Sequence, residues 1–234
     1  LLLAGEGTPY ADQEPASEAA RAVRIGGVQV DGEAGAGEMA WSRRPAAAAA
    51  FRGSLLLCGL EALDALGEAP AAGGAPLRAV IVCPRPRLAM ALAVRRFFAH
   101  LMVDRPPRFH SDEVRARAAA AEAWIMNAEV QPDVTFGARC VVGCAGMGYE
   151  RRDDGTLIGF PQLGSVLIER GVDIAAQATV QRGAIGVTRI RPGAKIGPHV
   201  NIGHNVDIGR NVLIAGHVQI GGGARIGEGA VLWQ

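Results

Sequence analysis

Aromatic side chains are scarce in this sequence: 234 residues include three Trp, two Tyr and six Phe. An interior built from such a chain has to be filled mainly by small aliphatic side chains. Excess charge is lacking as well. Lys and Arg number 24 against 23 Asp and Glu, a net charge of +1, which supplies no general field for nucleic acid or an anionic membrane and leaves any anionic ligand to local groups. Nucleic acid is therefore not an expected partner. No segment approaches the roughly 18 to 20 consecutive apolar residues of a spanning helix, and the opening Leu1-Leu2-Leu3-Ala4 is too short for the apolar stretch of a signal peptide. No integral membrane segment is expected, and the cytoplasm is the expected compartment. The four cysteines, Cys58, Cys83, Cys140 and Cys144, include no CxxC pair and sit in apolar strand-like runs, so they read as buried free thiols. An initiator Met is also lacking, and the chain stops inside a repeat at Leu232-Trp233-Gln234, which predicts a fragment.

What the chain does have is Gly, 32 residues of it. Residues 1–22 are rich in Glu, Ala, Gly and Pro without an apolar period, and a mobile tail is expected there. From Val23 the pattern changes. The runs at 23–30, 53–59 and 77–83 predict strands, while the spacing around 61–66 and from Arg87 to about Leu101 predicts helices. Residues 23–107 thus predict a small α/β domain.

A repeat dominates the remainder, 108–234. Ile190, Ile196, Ile202, Ile208, Ile214, Ile220, Ile226 and Leu232 recur every six residues, each preceded two residues earlier by a smaller side chain such as Ala194, Val200 or Val206. Neither an α-helix nor a hairpin sheet has that period. A short strand plus a tight corner does, and three of these close a coil of about 18 residues whose equivalent positions stack at the strand spacing of about 4.8 Å. His199 and His217 should then lie one above the other. The frame runs upstream through Ile168, Ile174 and Val180, slips by four residues in QRGAIGVTR, and returns earlier at Trp124, Val130, Phe136 and Val142. The Ala-rich stretch 115–123 fits either a degenerate coil or a helix. Between the two blocks, 146–164 reads as a polar loop, and loops that interrupt a repeat commonly carry binding functions.

The run from Gly146 to Gly209 carries GMGYERR, FPQLG, RGAIG and IGHNV in that order. In these motifs it resembles the UDP-3-O-acylglucosamine N-acyltransferases of lipid A synthesis. More loosely, PRPRLAMALAVRRFF (84–98) and GEMAWSRRP (37–45) resemble that family's N-terminal nucleotide-binding domain. The resemblance implies a mainly β fold, a left-handed parallel β-helix of hexapeptide repeats behind a small α/β domain, assembled as a homotrimer. It implies an acyltransferase that uses an acyl-phosphopantetheine donor, acyl carrier protein or CoA, and a UDP-linked amino sugar, with no bound cofactor and no metal. His204 would be the general base, a task suited to an imidazole, and the backbone N–H groups of Gly203 or Gly216 would steady the oxyanion. Trp41, Arg43, Arg44, Tyr149, Asn201 and Asn205 would contact substrate.

This sequence departs from the family pattern at several of these places. Gly197 and Pro198 stand where the family has an Asp-Asn pair whose Asp orients the histidine. Gln181 and Val187 replace two further Asp residues, Arg44 an Asn and Ala47 a Tyr. From spacing alone, His204 also fits a solvated corner histidine. Two other functions fit the same chain: an acetyl-CoA-dependent nucleotide-sugar N-acetyltransferase, and a non-catalytic ligand-binding paralogue. A zinc site built on His199 and His204, five residues apart as in γ-class carbonic anhydrases, would need a third histidine on a neighbouring coil.

Overall fold

A computed structural model of the chain describes residues 27–29, 38–42, 53–62 and 79–234. The expected tail 1–22, Arg43, Arg44, Ala47 and most of the expected helix 61–66 lie outside the described residues. The chain divides into two units, Leu1–His100 with Tyr149–Pro161, and Leu101–Gly148 with Gln162–Gln234.

In the first unit, the described strands Gly27–Val28, Glu38–Ser42, Leu55–Cys58 and Ala79–Val82 form a parallel sheet in chain order. The strand at 38–42 escaped the sequence pattern because its burial does not alternate: Met39, Ala40 and Ser42 are all buried. The helix α1, Pro86–Phe97, is opened by a proline whose missing N–H costs no helical bond there, and it carries Arg95 and Arg96 in its last turn, facing the negative end of the helix dipole. Its inner stripe is Leu88, Met90, Ala91, Ala93 and Val94. The strands Tyr149–Arg151 and Leu157–Gly159 pair as an antiparallel hairpin. Arginines of α1 and its N-cap hold that hairpin: Arg87 pairs with Glu150, Arg85 with Asp153 at 2.7 Å, and Arg95 donates to the Gly159 carbonyl at 3.0 Å.

In the second unit the chain visits three parallel sheets in rotation, as at Lys195–Ile196, Asn201–Ile202 and Asp207–Ile208. Each round of three strands is one coil. Asn201 pairs with Gln219, an offset of 18 residues. Across QRGAIGVTR the offset grows to 22, as Thr179 pairs with Asn201, and across the loop at 146–164 it grows to 38, as Thr135 pairs with Asp173. Ile168, Ile174, Ile190, Ile196, Ile202, Ile208 and Ile214 point inward and are at most 2% exposed, each burial worth about 1.5–3 kcal/mol.

The corners follow a second rule that the sequence pattern did not reveal. The third residue after the inward aliphatic has a positive φ: His199 at 56°, Asn205 at 58°, Asn211 at 51° and His217 at 61°. Glycine instead occupies the first position after it for reasons of space. At Gly203 a Cβ would come within 2.7 Å of the Gly222 nitrogen in the next coil. The expected stack of His199 on His217 is present, with ring centroids 4.7 Å apart and planes 12° from parallel.

At the start of the unit the repeat frame needs correcting. Residues 112–120 are a helix, α2 (Asp112–Ala120), capped by Ser111, whose hydroxyl accepts from the Val114 N–H at 3.4 Å, with Asp112 and Glu113 in the first turn. Trp124, placed inward by the period of six, is 46% exposed, and Ile125 is buried in its stead. The first coil is one residue short: Ile125 pairs with Val142, an offset of 17. A one-residue slip turns every side chain of a strand to the other face.

Candidate active site

His204 sits at the corner between the strands Asn201–Ile202 and Asp207–Ile208, half-buried. The next coil passes directly over it. The Gly223 N–H donates to the His204 carbonyl at 2.7 Å, and the imidazole lays its face against Gly222, where a Cβ would lie over the ring, 2.6 Å from Nε2 and 2.9 Å from Cδ2 and Cε1. Only glycine lets the ring lie there without a clash. The other ring nitrogen, Nδ1, lies 3.0 Å from Asn205 Oδ1.

Two interruptions of the repeat converge on this corner. Gly146 comes from the loop between the blocks, and a Cβ there would lie 3.2 Å from Gln162 Oε1, 3.2 Å from Gln181 Oε1 and 3.3 Å from His204 Cβ. The Gly146 N–H donates to Gln162 Oε1 at 3.3 Å. Asn205 reaches into the four-residue excursion, donating to the Ile185 carbonyl at 2.6 Å and accepting from the Ala184 N–H at 3.0 Å. Its own N–H donates to Thr188 Oγ1 at 2.8 Å.

A buried polar knot fixes both ends of the loop. Asn127, 3% exposed, donates to Asp104 Oδ1 at 3.0 Å and to the Gly143 carbonyl at 3.1 Å. Arg105 donates from its backbone to Asn127 Oδ1 at 2.9 Å and from its guanidinium to the carbonyls of Leu163 and Gly164. Arg182, 7% exposed, pairs with Asp104 at 3.3 Å, and its backbone N–H donates to the Cys144 carbonyl at 2.9 Å. Burial presses the Arg182 guanidinium below its ordinary pKa, and the Asp104 carboxylate works against that. No periodicity marks these residues, so sequence reasoning passed over them.

The expected site residues fare differently. Gly203 adjoins His204, but its N–H donates to the Ile220 carbonyl at 2.9 Å and is spent in the ladder between coils. Gly216 follows Leu213–Ile214 and precedes Gln219–Ile220, so it lies at a different corner from His204. The residue in the matching place is Gly222, whose N–H has no hydrogen-bond acceptor among the described residues. Gly197 likewise lies at the preceding corner, between Lys195–Ile196 and Asn201–Ile202. Asn201 donates to Gln219 Oε1 at 3.0 Å on the outer face of its strand. In the other unit, Trp41 meets the Phe160 ring edge-on with centroids 6.3 Å apart, Arg87 stands 4.7 Å over that ring, and Tyr149 is exposed on the hairpin. Arg43 and Arg44 are outside the described residues.

All four cysteines are free thiols. Burial raises their pKa values, to about 11 at Cys83 and Cys140.

These coils and corners define a hexapeptide-repeat protein, and a family model described as bacterial transferase hexapeptide (six repeats) matches residues 187–222. Among curated proteins, a UDP-3-O-acylglucosamine N-acyltransferase of Francisella tularensis subsp. holarctica is 50% identical over 56 residues, which is 24% of this chain and 17% of that relative. UDP-3-O-acylglucosamine N-acyltransferase 2 of Gloeobacter violaceus is 46% identical over 56 residues, 24% of this chain and 15% of its own length. The enzyme of that name from Aromatoleum aromaticum is 41% identical over 59 residues, 25% of this chain and 18% of its own length. The match thus spans less than a fifth of each of these relatives. Among the described residues no helix is long and apolar enough to cross a membrane, and no three His, Cys, Asp or Glu side chains group together as metal ligands would.

Proposed function

We propose that this chain is an acyltransferase that moves an acyl group from a phosphopantetheine thioester to the amine of a nucleotide-linked amino sugar, with His204 as general base. The observation that carries the reading is the seat of the His204 imidazole against Gly222, a residue whose N–H has no acceptor among the described residues. The amine nitrogen attacks the thioester carbonyl, forming the C–N bond, while its proton passes to His204 Nε2. The tetrahedral oxyanion is steadied by the Gly222 N–H. On collapse the C–S bond breaks, and the proton held by His204 goes to the departing thiolate.

The names of the relatives support the acceptor class, a UDP-linked glucosamine, and the family resemblance of the sequence motifs adds a place in lipid A synthesis. Acyl carrier protein is the proposed donor, with acetyl-CoA the alternative. Trp41 would offer an aromatic face to the base, and Tyr149, Arg43, Arg44, Asn201 and Asn205 would contact substrate, the amides of Asn201 and Asn205 while keeping their bonds within the coil. The coil is left-handed, and three cytoplasmic copies pack with their active sites between them. A ligand-binding paralogue without catalysis is favoured by one observation: among the described residues no carboxylate hydrogen-bonds to His204.

The test is release of thiol when the protein meets acyl-carrier-protein or CoA thioesters together with UDP-amino sugars. Wild type should release thiol and His204→Ala should be slower by about 10²–10⁴. Absence of release with every donor, in wild type and variant alike, would sink the catalytic reading.

A further inference from the structure

A histidine is a base only through the ring nitrogen that carries no proton, so its tautomer matters as much as its place. The amide of Asn205 bears on this directly. Asparagine oxygen and nitrogen are exchanged by a flip of the amide, and their assignment has to come from their partners. Here both partners are backbone groups with one possible role each. The Ile185 carbonyl, 2.6 Å from Nδ2, can only accept, and the Ala184 N–H, 3.0 Å from Oδ1, can only donate. A flipped amide would set donor against donor and acceptor against acceptor. Oδ1 is therefore the atom 3.0 Å from His204 Nδ1. It has a second lone pair and no proton, so the ring must be the donor.

We infer that Asn205 is a positioning residue that fixes His204 as the Nδ1–H tautomer and leaves the lone pair on Nε2. A neutral amide does here what a carboxylate would do elsewhere. The same amide grips Ala184 and Ile185, so the four-residue excursion in the repeat, with no side chain of its own on the ring, is what holds the tautomer in place. The catalytic consequence rests on His204 being the proposed base; the tautomer does not.

The experiment is ¹⁵N NMR of the full chain labelled in its histidine rings, at about pH 8, above the ordinary histidine range. His204 is assigned by its loss in His204→Ala. In wild type the proton-bearing nitrogen should be Nδ1. Position 205 has a positive φ, which glycine adopts freely, so Asn205→Gly removes the amide without backbone strain and should release the Nδ1–H form. Asn205→Asp keeps an oxygen toward Nδ1 and should retain that form, at a cost in stability because its other oxygen meets the Ile185 carbonyl in place of the amide N–H. Where thiol release is measurable, Asn205→Gly should lower kcat by about tenfold or more with KM unchanged, and Asn205→Asp should restore part of it. An Nε2–H ring in wild type, or the same tautomer in wild type and Asn205→Gly, overturns the inference. Because the spectra do not depend on turnover, a protein that transfers no acyl group but carries Nδ1–H sinks the proposed activity and leaves the positioning role standing.

Discussion

The face of the His204 ring lies against Gly222, close enough that a Cβ at 222 would lie 2.6 Å from Nε2. The two residues are 18 apart, one coil, like the paired residues Asn201 and Gln219. Gly222→Ala is therefore expected to push the ring from its place, and Nδ1 from Asn205 Oδ1, without removing any chemical group from the site. Thiol release should fall by about 10²-fold or more, in the range for losing a positioned base, while the far-ultraviolet circular dichroism stays unchanged. Activity near wild type in a folded Gly222→Ala protein would mean that the reaction does not need the ring seated where it is.

The inward isoleucine column carries the coil, so truncating one member should be felt. Ile202 is fully buried, and Ile202→Ala is expected to cost about 2–5 kcal/mol from lost burial and the cavity left behind. The shift of the urea unfolding midpoint at constant slope measures it.

Asp104 is the acidic partner of the buried Arg182. Asp104→Ala leaves that guanidinium, whose Nε already has no acceptor, without its counter-charge, and frees one Nδ2 hydrogen of Asn127. A loss of about 1–3 kcal/mol is expected, the usual cost of orphaning buried polar groups. Protection of the loop ends 143–146 and 162–164 in hydrogen exchange should fall more than that of the last coils.

On the outer face, the Asp207 carboxyl accepts two hydrogen bonds from Arg191, each 2.8 Å. Those bonds lower its pKa below the ordinary carboxylate range against the effect of burial, and the charges of Arg191, Arg189 and Arg225 reinforce them. A carboxyl depressed in the folded state adds stability above its unfolded pKa of about 3.9 and loses it as pH falls through the lower folded value. Asp207→Asn should therefore destabilise at pH 6 by up to about 1 kcal/mol, the scale of a partly exposed pair, and flatten the fall in stability on acidification. Urea midpoints at pH 6 and pH 3 compare the two proteins.

The Cys140 thiol is buried, with its pKa raised to about 11. It should resist alkylation by iodoacetamide at pH 8 in the native protein and react readily in urea, as peptide mapping would show.

Much of the second unit was written in the sequence because a coil with an 18-residue repeat turns spacing directly into contact. The isoleucines six apart had to line one interior, His199 had to meet His217, and the slip of four had to appear as an offset of 22 between Thr179 and Asn201. What the period could not carry was decided in three dimensions. Trp124 turned outward because the step from Ile125 to the next large inward residue, Val130, is five residues and not six, and side-chain direction in a strand follows parity. Gly203 and Gly216 were reasonable oxyanion donors by residue type, but whether an N–H is spent in the ladder, and at which corner it lies, depends on the stacking of coils. The partners of His204 come from the next coil, from the excursion through Asn205, and from a loop that the repeat only interrupts. Their meeting is set by insertion lengths and by the demand of polar backbone groups for partners, neither of which leaves a period to read.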